Sequence, residues 1–188
     1  MMATRRPILK TIYLSSSFSS FEELYHAYKS IVYNTCLSYV QQVQEAEELT
    51  QNVFIEVNNS LHKFRGESLL KTWIYRIAIN KSLDHLKYRR RKKRFAVFTD
   101  IFSGSNPTET ATDFYHPGVA MENKEKSAIL FRAIDQLPEK QKTAFLLSKI
   151  EGLGNIEISE VLGKNVGAVE SLLSRATDNL RKQLSALK

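Results

Sequence analysis

Apolar residues return at helical spacing through most of this chain. Phe18, Phe21, Leu24, Tyr25, Tyr28, Ile31 and Val32 make the first series, and steps of three and four residues place them on one helix face. Ser19 or Ser20 is positioned to cap that helix, with Glu22 and Glu23 in its first turn. A second helix begins near Glu45 and carries Leu49, Val53, Phe54, Val57 and Leu61. A third runs from about Leu69 into a run of cations. Three such helices bury one core and make a compact first domain over residues 18–95, after an N-terminal extension of residues 1–17.

The pattern breaks over residues 96–120, where SGSNPTETATDFYHPG brings glycine and proline together and lysine and arginine vanish. This segment reads as a flexible linker, with a fully extended reach of about 80 Å. Helical periodicity resumes over residues 121–188. Ile129, Ala133, Ile134 and Leu137 form one amphipathic helix, and Pro138 suits the first turn of the next. That next helix carries Ala144, Phe145 and Ile150 and stops at Gly152. Ile158, Val161 and Leu162 then lead to a break at Gly163, and Val166, Val169, Leu172, Leu173 and Ala176 follow. Helix, glycine turn and helix, with the small Ser159 in the first, make a helix-turn-helix pattern. The expected fold is all-α, with a three-to-four-helix bundle and a helix-turn-helix domain joined by the linker.

Composition agrees and adds a partner class. Only 7 glycines and 4 prolines occur in 188 residues, and the net charge is +7 with a pI near 9.4. A basic balance suits a polyanion. Residues 18–95 hold 13 Lys and Arg against 8 Asp and Glu, residues 96–120 none against 3, and residues 121–188 hold 11 against 9. One cysteine, Cys36, excludes an internal disulfide and fits a reducing compartment. No apolar run is long enough for membrane insertion, and the stretch after Arg5 and Arg6 is too short and broken for a signal peptide. The expected location is cytoplasmic. His26, His62, His85 and His116 show no metal-ligand spacing, and no nucleotide-binding glycine loop or nucleophile motif occurs. No cofactor, metal or enzymatic chemistry is expected.

Residues 64–94, FRGESLLKTWIYRIAINKSLDHLKYRRRKKR, concentrate the candidate chemistry. Every residue from Arg89 to Arg94 is cationic. If about five of these cations met phosphates, affinity would fall with salt at a log–log slope near −4 to −5. A solvated helix end explains the same run, since cations also suit a helix C-terminus. In the helix before it, Trp73, Arg76, Asn80, Asp84 and Lys87 share one edge between two apolar stripes. Trp73 is able to stack on a base, and Arg76 and Asn80 to bond base edges or phosphates. Equally, Trp73 belongs to the core and Arg76 pairs with a nearby Glu. The loop Arg65, Gly66, Glu67 and Ser68 either receives an extruded base or is an ordinary turn. Glu45, Glu47 and Glu48 cluster at a helix start, where the helix dipole favours acids; with Leu49, Gln51 and Phe54 they also make an acidic and apolar patch for a basic helical partner.

Together these segments resemble the extracytoplasmic-function group of the sigma-70 family of transcription initiation factors, over about residues 18–186. EAEELTQNVF resembles that family's polymerase-docking segment, and FRGESLLKTWIYRIAINKSLDHL its promoter-melting segment. LPEKQKTAFLLSKIEGLGNIEISEVLGKNVGAVESLLSRA resembles its minus-thirty-five-reading domain. The resemblance implies docking through Glu45, Glu47, Glu48, Leu49, Gln51 and Phe54 onto a coiled coil of the largest subunit of core RNA polymerase, with further contacts to the second-largest. It implies that the loop takes a flipped base of the melted non-template strand, with Lys63, Phe64, Arg65, Gly66, Glu67 and Ser68 around it. Trp73, Arg76 and Asn80 would hold the upstream bubble edge, and Lys87, Arg89, Arg90 and Arg91 the duplex phosphates. Flipping costs a few kcal/mol of unstacking, which stacking must offset. The acidic linker would thread the polymerase's basic channels, and an anti-sigma factor is the expected regulator.

The upstream reader would comprise Lys164, Asn165, Val166, Gly167, Ala168, Glu170, Ser171, Ser174 and Arg175. Here the chain departs from the family pattern: Glu170 and Leu172 stand where Lys or Arg is common. Glu170 would repel phosphates but is able to accept from a cytosine amine. Either the upstream promoter sequence differs, or the second domain binds weakly and an accessory protein places it. The rival function is a free-standing helix-turn-helix regulator, which has no need of the Glu45 to Phe54 patch.

Overall fold

The computed structural model describes residues 18–103 and 124–185, so the expectations for residues 1–17 and for residues 104–120 of the linker lie outside the described residues. Three helices build the first domain: α1 (Phe21–Val40), α2 (Val43–Ser60) and α3 (Leu70–Ser103), with a short 3-10 turn at Leu61–Lys63. Four build the second: α4 (Lys124–Asp135), α5 (Glu139–Lys149), α6 (Asn155–Leu162) and α7 (Val166–Ser185). No strand occurs among the described residues.

The start of α1 is a reciprocal cap. Ser20 is the N-cap and its hydroxyl accepts the Glu23 N–H at 3.2 Å. The Glu23 carboxylate in turn accepts from the Ser19 N–H at 2.8 Å and the Ser19 hydroxyl at 2.6 Å. These bonds hold the Glu23 carboxyl below its ordinary pKa and satisfy donors that a bare helix start leaves open. Helix α2 begins at Val43, two residues ahead of the expected Glu45, and its N-cap Gln42 makes no side-chain cap bond. Helix α3 has 34 residues, about 50 Å of axis. It runs through residues 96–103, which the loss of cations had assigned to the linker. Neither glycine nor proline occurs between Leu69 and Gly104, so nothing local breaks the helix where the charge pattern changes.

Leu24, Val32, Leu37, Val53, Val57, Ile74 and Ala78 are buried where α1, α2 and α3 meet. The Cys36 thiol lies among them, and burial pushes its pKa up to about 11. Ile134, Leu146, Leu147, Ile158, Val161, Val169, Ala176 and Leu180 form the centre of the second domain. Pro138 stands one residue outside α5, as its N-cap. The two centres belong to one continuous apolar cluster, because α3 packs on α6 and Tyr39 at the end of α1 meets Thr143 of the second domain.

The turn of the helix-turn-helix depends on Gly163, which adopts φ 60° and ψ 41° and donates to the last turn of α6. A Cβ there meets nothing within 4 Å, so the cost of substitution is backbone strain alone. Gly163→Ala is expected to destabilise the chain by about 1–2 kcal/mol in urea unfolding, and Gly163→Asn by less, since Asn tolerates the left-handed region. Equal midpoints for all three would contradict this account of the turn.

Candidate nucleic-acid interface

The outer face of α2 carries Glu47, Glu48, Gln51 and Asn52, all exposed, and Ile55, which is 59% exposed. Leu49 and Phe54 from the same segment are buried. Phe54 packs edge-on against Phe21 and Tyr25, at ring distances of 6.4 and 4.7 Å. Both side chains shape the helix from beneath and present no surface to a partner. Glu45 also turns inward: its Oε2 accepts from Arg89 Nη1 at 3.1 Å and lies 3.0 Å from His85 Nε2. Glu45 and Arg89, expected at two different surfaces, thus form one clamp between α2 and α3.

The loop after the 3-10 turn contains Gly66 at φ 73°. Arg65 and Glu67 are exposed and 3.8 Å apart, a weak pair in water. Phe64 and Trp73 are both half-buried and their rings lie 5.3 Å apart, tilted at 45°. Trp73 therefore packs on the core through one part of its ring system and braces the loop. Lys63 is exposed and Ser68 half-buried.

Arg76, Asn80, Asp84 and Lys87 stand on the exposed edge of α3, as the spacing predicts. Asp84, Lys87, Arg90, Arg91 and Arg94 line an open basic groove. Arg76 has a second engagement that no sequence pattern announces. Its Nε donates to the Val161 carbonyl at 3.2 Å and its Nη2 to the Glu160 carbonyl. Both carbonyls lie in the last turn of α6, where a helix end leaves acceptor capacity open; that of Glu160 also accepts the Gly163 N–H at 3.3 Å. The loop residues Glu67 and Ser68 share a cavity of about 470 Å³ with Arg76, Gly163 and Lys164. The edge expected to meet the minus-ten strand and the turn of the helix-turn-helix therefore face one another.

Other bonds cross the same seam. The Tyr39 hydroxyl donates to Thr143 Oγ1 at 2.9 Å, and Gln41 Nε2 donates to Asp135 at 2.8 Å. Gln41 ends α1 at φ 60°, a strained choice for a residue with a Cβ. Lys142 is only 4% exposed, pairs with Asp135 at 2.6 Å and lies 5.2 Å from the centre of the Tyr39 ring. Exposed pairs Lys71–Glu157 and Lys87–Glu139, each at 3.8 Å, flank it. Glu151 is the costly member: it accepts from the Tyr75 hydroxyl at 3.2 Å while its Oε1 is buried without a partner.

In α7 the Asn165 side chain accepts the Ala168 N–H at 2.8 Å and caps the helix. Val169, Ala176 and Leu180 face inward, Ala168 is half-buried, and Gly167, Glu170, Ser171, Ser174 and Arg175 are exposed. Val166, expected among the apolar positions, is 36% exposed, and Lys164 is half-buried at the seam. Among the described residues no cluster of three or more His, Cys, Asp or Glu is placed to hold a metal, and no helix is long and apolar enough to cross a membrane.

Comparison with known proteins decides the family. The family model for sigma-70 region 2 matches residues 24–92, and that for sigma-70 region 4 matches residues 127–180. The chain is 34% identical to the RNA polymerase sigma-H factor of Pseudomonas aeruginosa over 172 residues, covering 89% of this chain and 88% of the relative. This chain belongs to the extracytoplasmic-function sigma factors of the sigma-70 family. It is also 30% identical to the extracytoplasmic-function sigma factor SigW of Bacillus subtilis, over 89% of this chain and 90% of that protein. Two solved structures share the fold at 19% identity. The sigma factor RpoE, bound to the anti-sigma factor NepR from Bartonella quintana, matches with a TM-score of 0.63 over 88% of this chain and 96% of that one. CnrH, bound to the cytosolic domain of CnrY, matches at 0.64 over 95% and 96%. The region 2 match thus falls within α1 to α3, and the region 4 match within α4 to α7.

The contact between these regions should respond to pH. Burial raises the Glu151 carboxyl pKa, against smaller lowering effects of Tyr75, Thr35 and Lys71. Because the packed-state pKa is the higher one, the contribution to packing is full in acid and is lost as pH rises through it. Small-angle scattering should show a sigma factor that becomes less compact as pH rises above the ordinary carboxylate range, and Glu151→Gln should stay compact throughout. A wild type indifferent to pH would contradict this role for Glu151.

Proposed function

We propose that this sigma factor docks on core RNA polymerase through the outer face of α2 and, once docked, opens the minus-ten element with the edge of α3 and the loop at residues 64–68. The observation that carries the docking assignment is the division of acids on α2. Glu45 is spent on Arg89 and His85, whereas Glu47 and Glu48 have no ion-pair partner among the described residues. Two unpaired carboxylates beside an exposed Ile55 offer both charge and apolar area to a basic helical surface. A free-standing regulator has no use for that face.

Promoter binding then requires a change of partner. Arg76 does not hold the carbonyls of α6 and a melted strand at once, and the basic groove has Lys87 tied to Glu139 across the seam. Docking would separate region 4 from region 2 and release Arg76, Asn80 and Lys87 together. The loop would accept a base beside the Phe64 and Trp73 rings, with Lys63, Arg65 and Gly66 near the strand. Arg90 and Arg91 would meet duplex phosphates, while Arg89 positions α3 through Glu45. A structural relative captured with an anti-sigma factor supports a regulator of that kind for this chain.

Reconstitution tests the reading. Glu47→Lys with Glu48→Lys should weaken binding to core polymerase at least tenfold in a fluorescence titration and abolish promoter-dependent transcription. Glu45→Gln should instead lower thermal stability. Equal core binding by the charge reversal and the wild type would refute the docking face. Arg76→Ala should loosen the free protein yet lose open-complex signal from permanganate footprinting; retained melting would remove Arg76 from the promoter-holding set.

A further inference from the structure

The recognition helix carries an acid where a phosphate-facing surface has least use for one. Along α7 the exposed residues Gly167, Glu170, Ser171 and Ser174 recur at steps of three and four, opposite Val169, Ala176 and Leu180 in the core. They form one outward stripe. Four other acids of the second domain have partners: Asp135 with Lys142, Glu139 with Lys87, Glu157 with Lys71, and Asp178 with Arg181. Glu170 has no ion pair or hydrogen bond from its side chain among the described residues. No partner among the described residues accounts for its charge. Asn165 is engaged as the helix cap, so Glu170 is the first freely presented reader on the helix.

We propose that Glu170 sets base specificity in region 4 by accepting from the N4 amine of a cytosine in the major groove of the upstream promoter element. The proposal rests on α7 entering that groove, which the resemblance of this segment to the upstream promoter reader of the family implies. A carboxylate is an acceptor only. Guanine shows it two acceptors and thymine an acceptor with a methyl group. Adenine offers one amine, but its N7 acceptor sits alongside; cytosine offers its amine with no acceptor on the same base edge. The small Gly167 and Ala168 in the first turn bring the helix close enough for a short side chain to reach a base. Arg175, on the same exposed side, meets a phosphate and offsets the repulsion of the acid. Glu170 reads, Ser171 and Ser174 adapt, and Arg175 anchors.

The experiment is selection by reconstituted holoenzyme from a promoter library randomised across the upstream duplex, followed by sequencing. Wild type should enrich cytosine at one upstream position by about tenfold. Glu170→Arg should move that one position to guanine and Glu170→Gln to adenine, with the other positions unchanged. Base preference is the readout, because adding a cation raises affinity for any DNA. Glu170 is exposed, so these variants should fold, and their thermal melts provide the check. An upstream motif that all three proteins share without change would overturn the proposal while leaving region 4 as a groove reader. No upstream motif at all, together with no effect of Arg175→Ala, would overturn both.

Discussion

Six consecutive residues at the end of α1, from Thr35 to Val40, are all buried. A helix in a three-helix bundle covers only one face with its neighbours, so a helix buried around its whole circumference needs cover from elsewhere. Region 4 supplies it. Tyr39 lies on the side that α2 and α3 leave open, and its hydroxyl would be buried without a bond were Thr143 not there. Desolvation also raises the pKa of that phenol, which keeps it neutral and a donor. Region 4 thus completes the burial of this helix end, while α3 packs on α6 beside it.

That packing is specific and also expensive. Lys142 is buried with its charge and survives through Asp135 and the Tyr39 ring. Removing one member of such a pair strands the other, which costs far more than the pair contributes. Glu151 sits half-satisfied against Tyr75, and Gln41 accepts a left-handed backbone to reach Asp135. The seam combines apolar contacts with strained polar ones, and the side chains drawn into it include Arg76 and Lys87. Under the proposed function the same guanidinium and ammonium groups would serve promoter DNA, so closure and promoter engagement would compete, and a partner that favours either state would shift the other by its differential affinity.

Much of this was legible in the residues. The helix spacing in Phe21 to Val32, the serine cap before Glu22 and Glu23, and the glycine turn at Gly163 are local rules, and local rules act without regard to the rest of the fold. The edge Arg76, Asn80, Asp84 and Lys87 was likewise set by 3.6 residues per turn. The end of α3 was misplaced, because a change in charge was taken for a change in backbone when no breaker stood there. Leu49 and Phe54 matched a docking motif by type, but a motif does not say which of its members face outward.

By itself the sequence determined seven helices' worth of periodicity, the order of the segments that resemble sigma-70 regions 2 and 4, and the sign of charge on each. These depend on residues a few positions apart, whose relative placement a helix fixes. Only the tertiary structure decided that Glu45 serves Arg89 and His85 while Glu47 and Glu48 have no ion-pair partner among the described residues, and that Arg76 caps α6. The partners in those bonds lie 44 and 85 residues apart. No spacing rule reaches that far, because which long-range surfaces meet is settled by the packing of α3 and the end of α1 on the second domain and not by the local preferences of either.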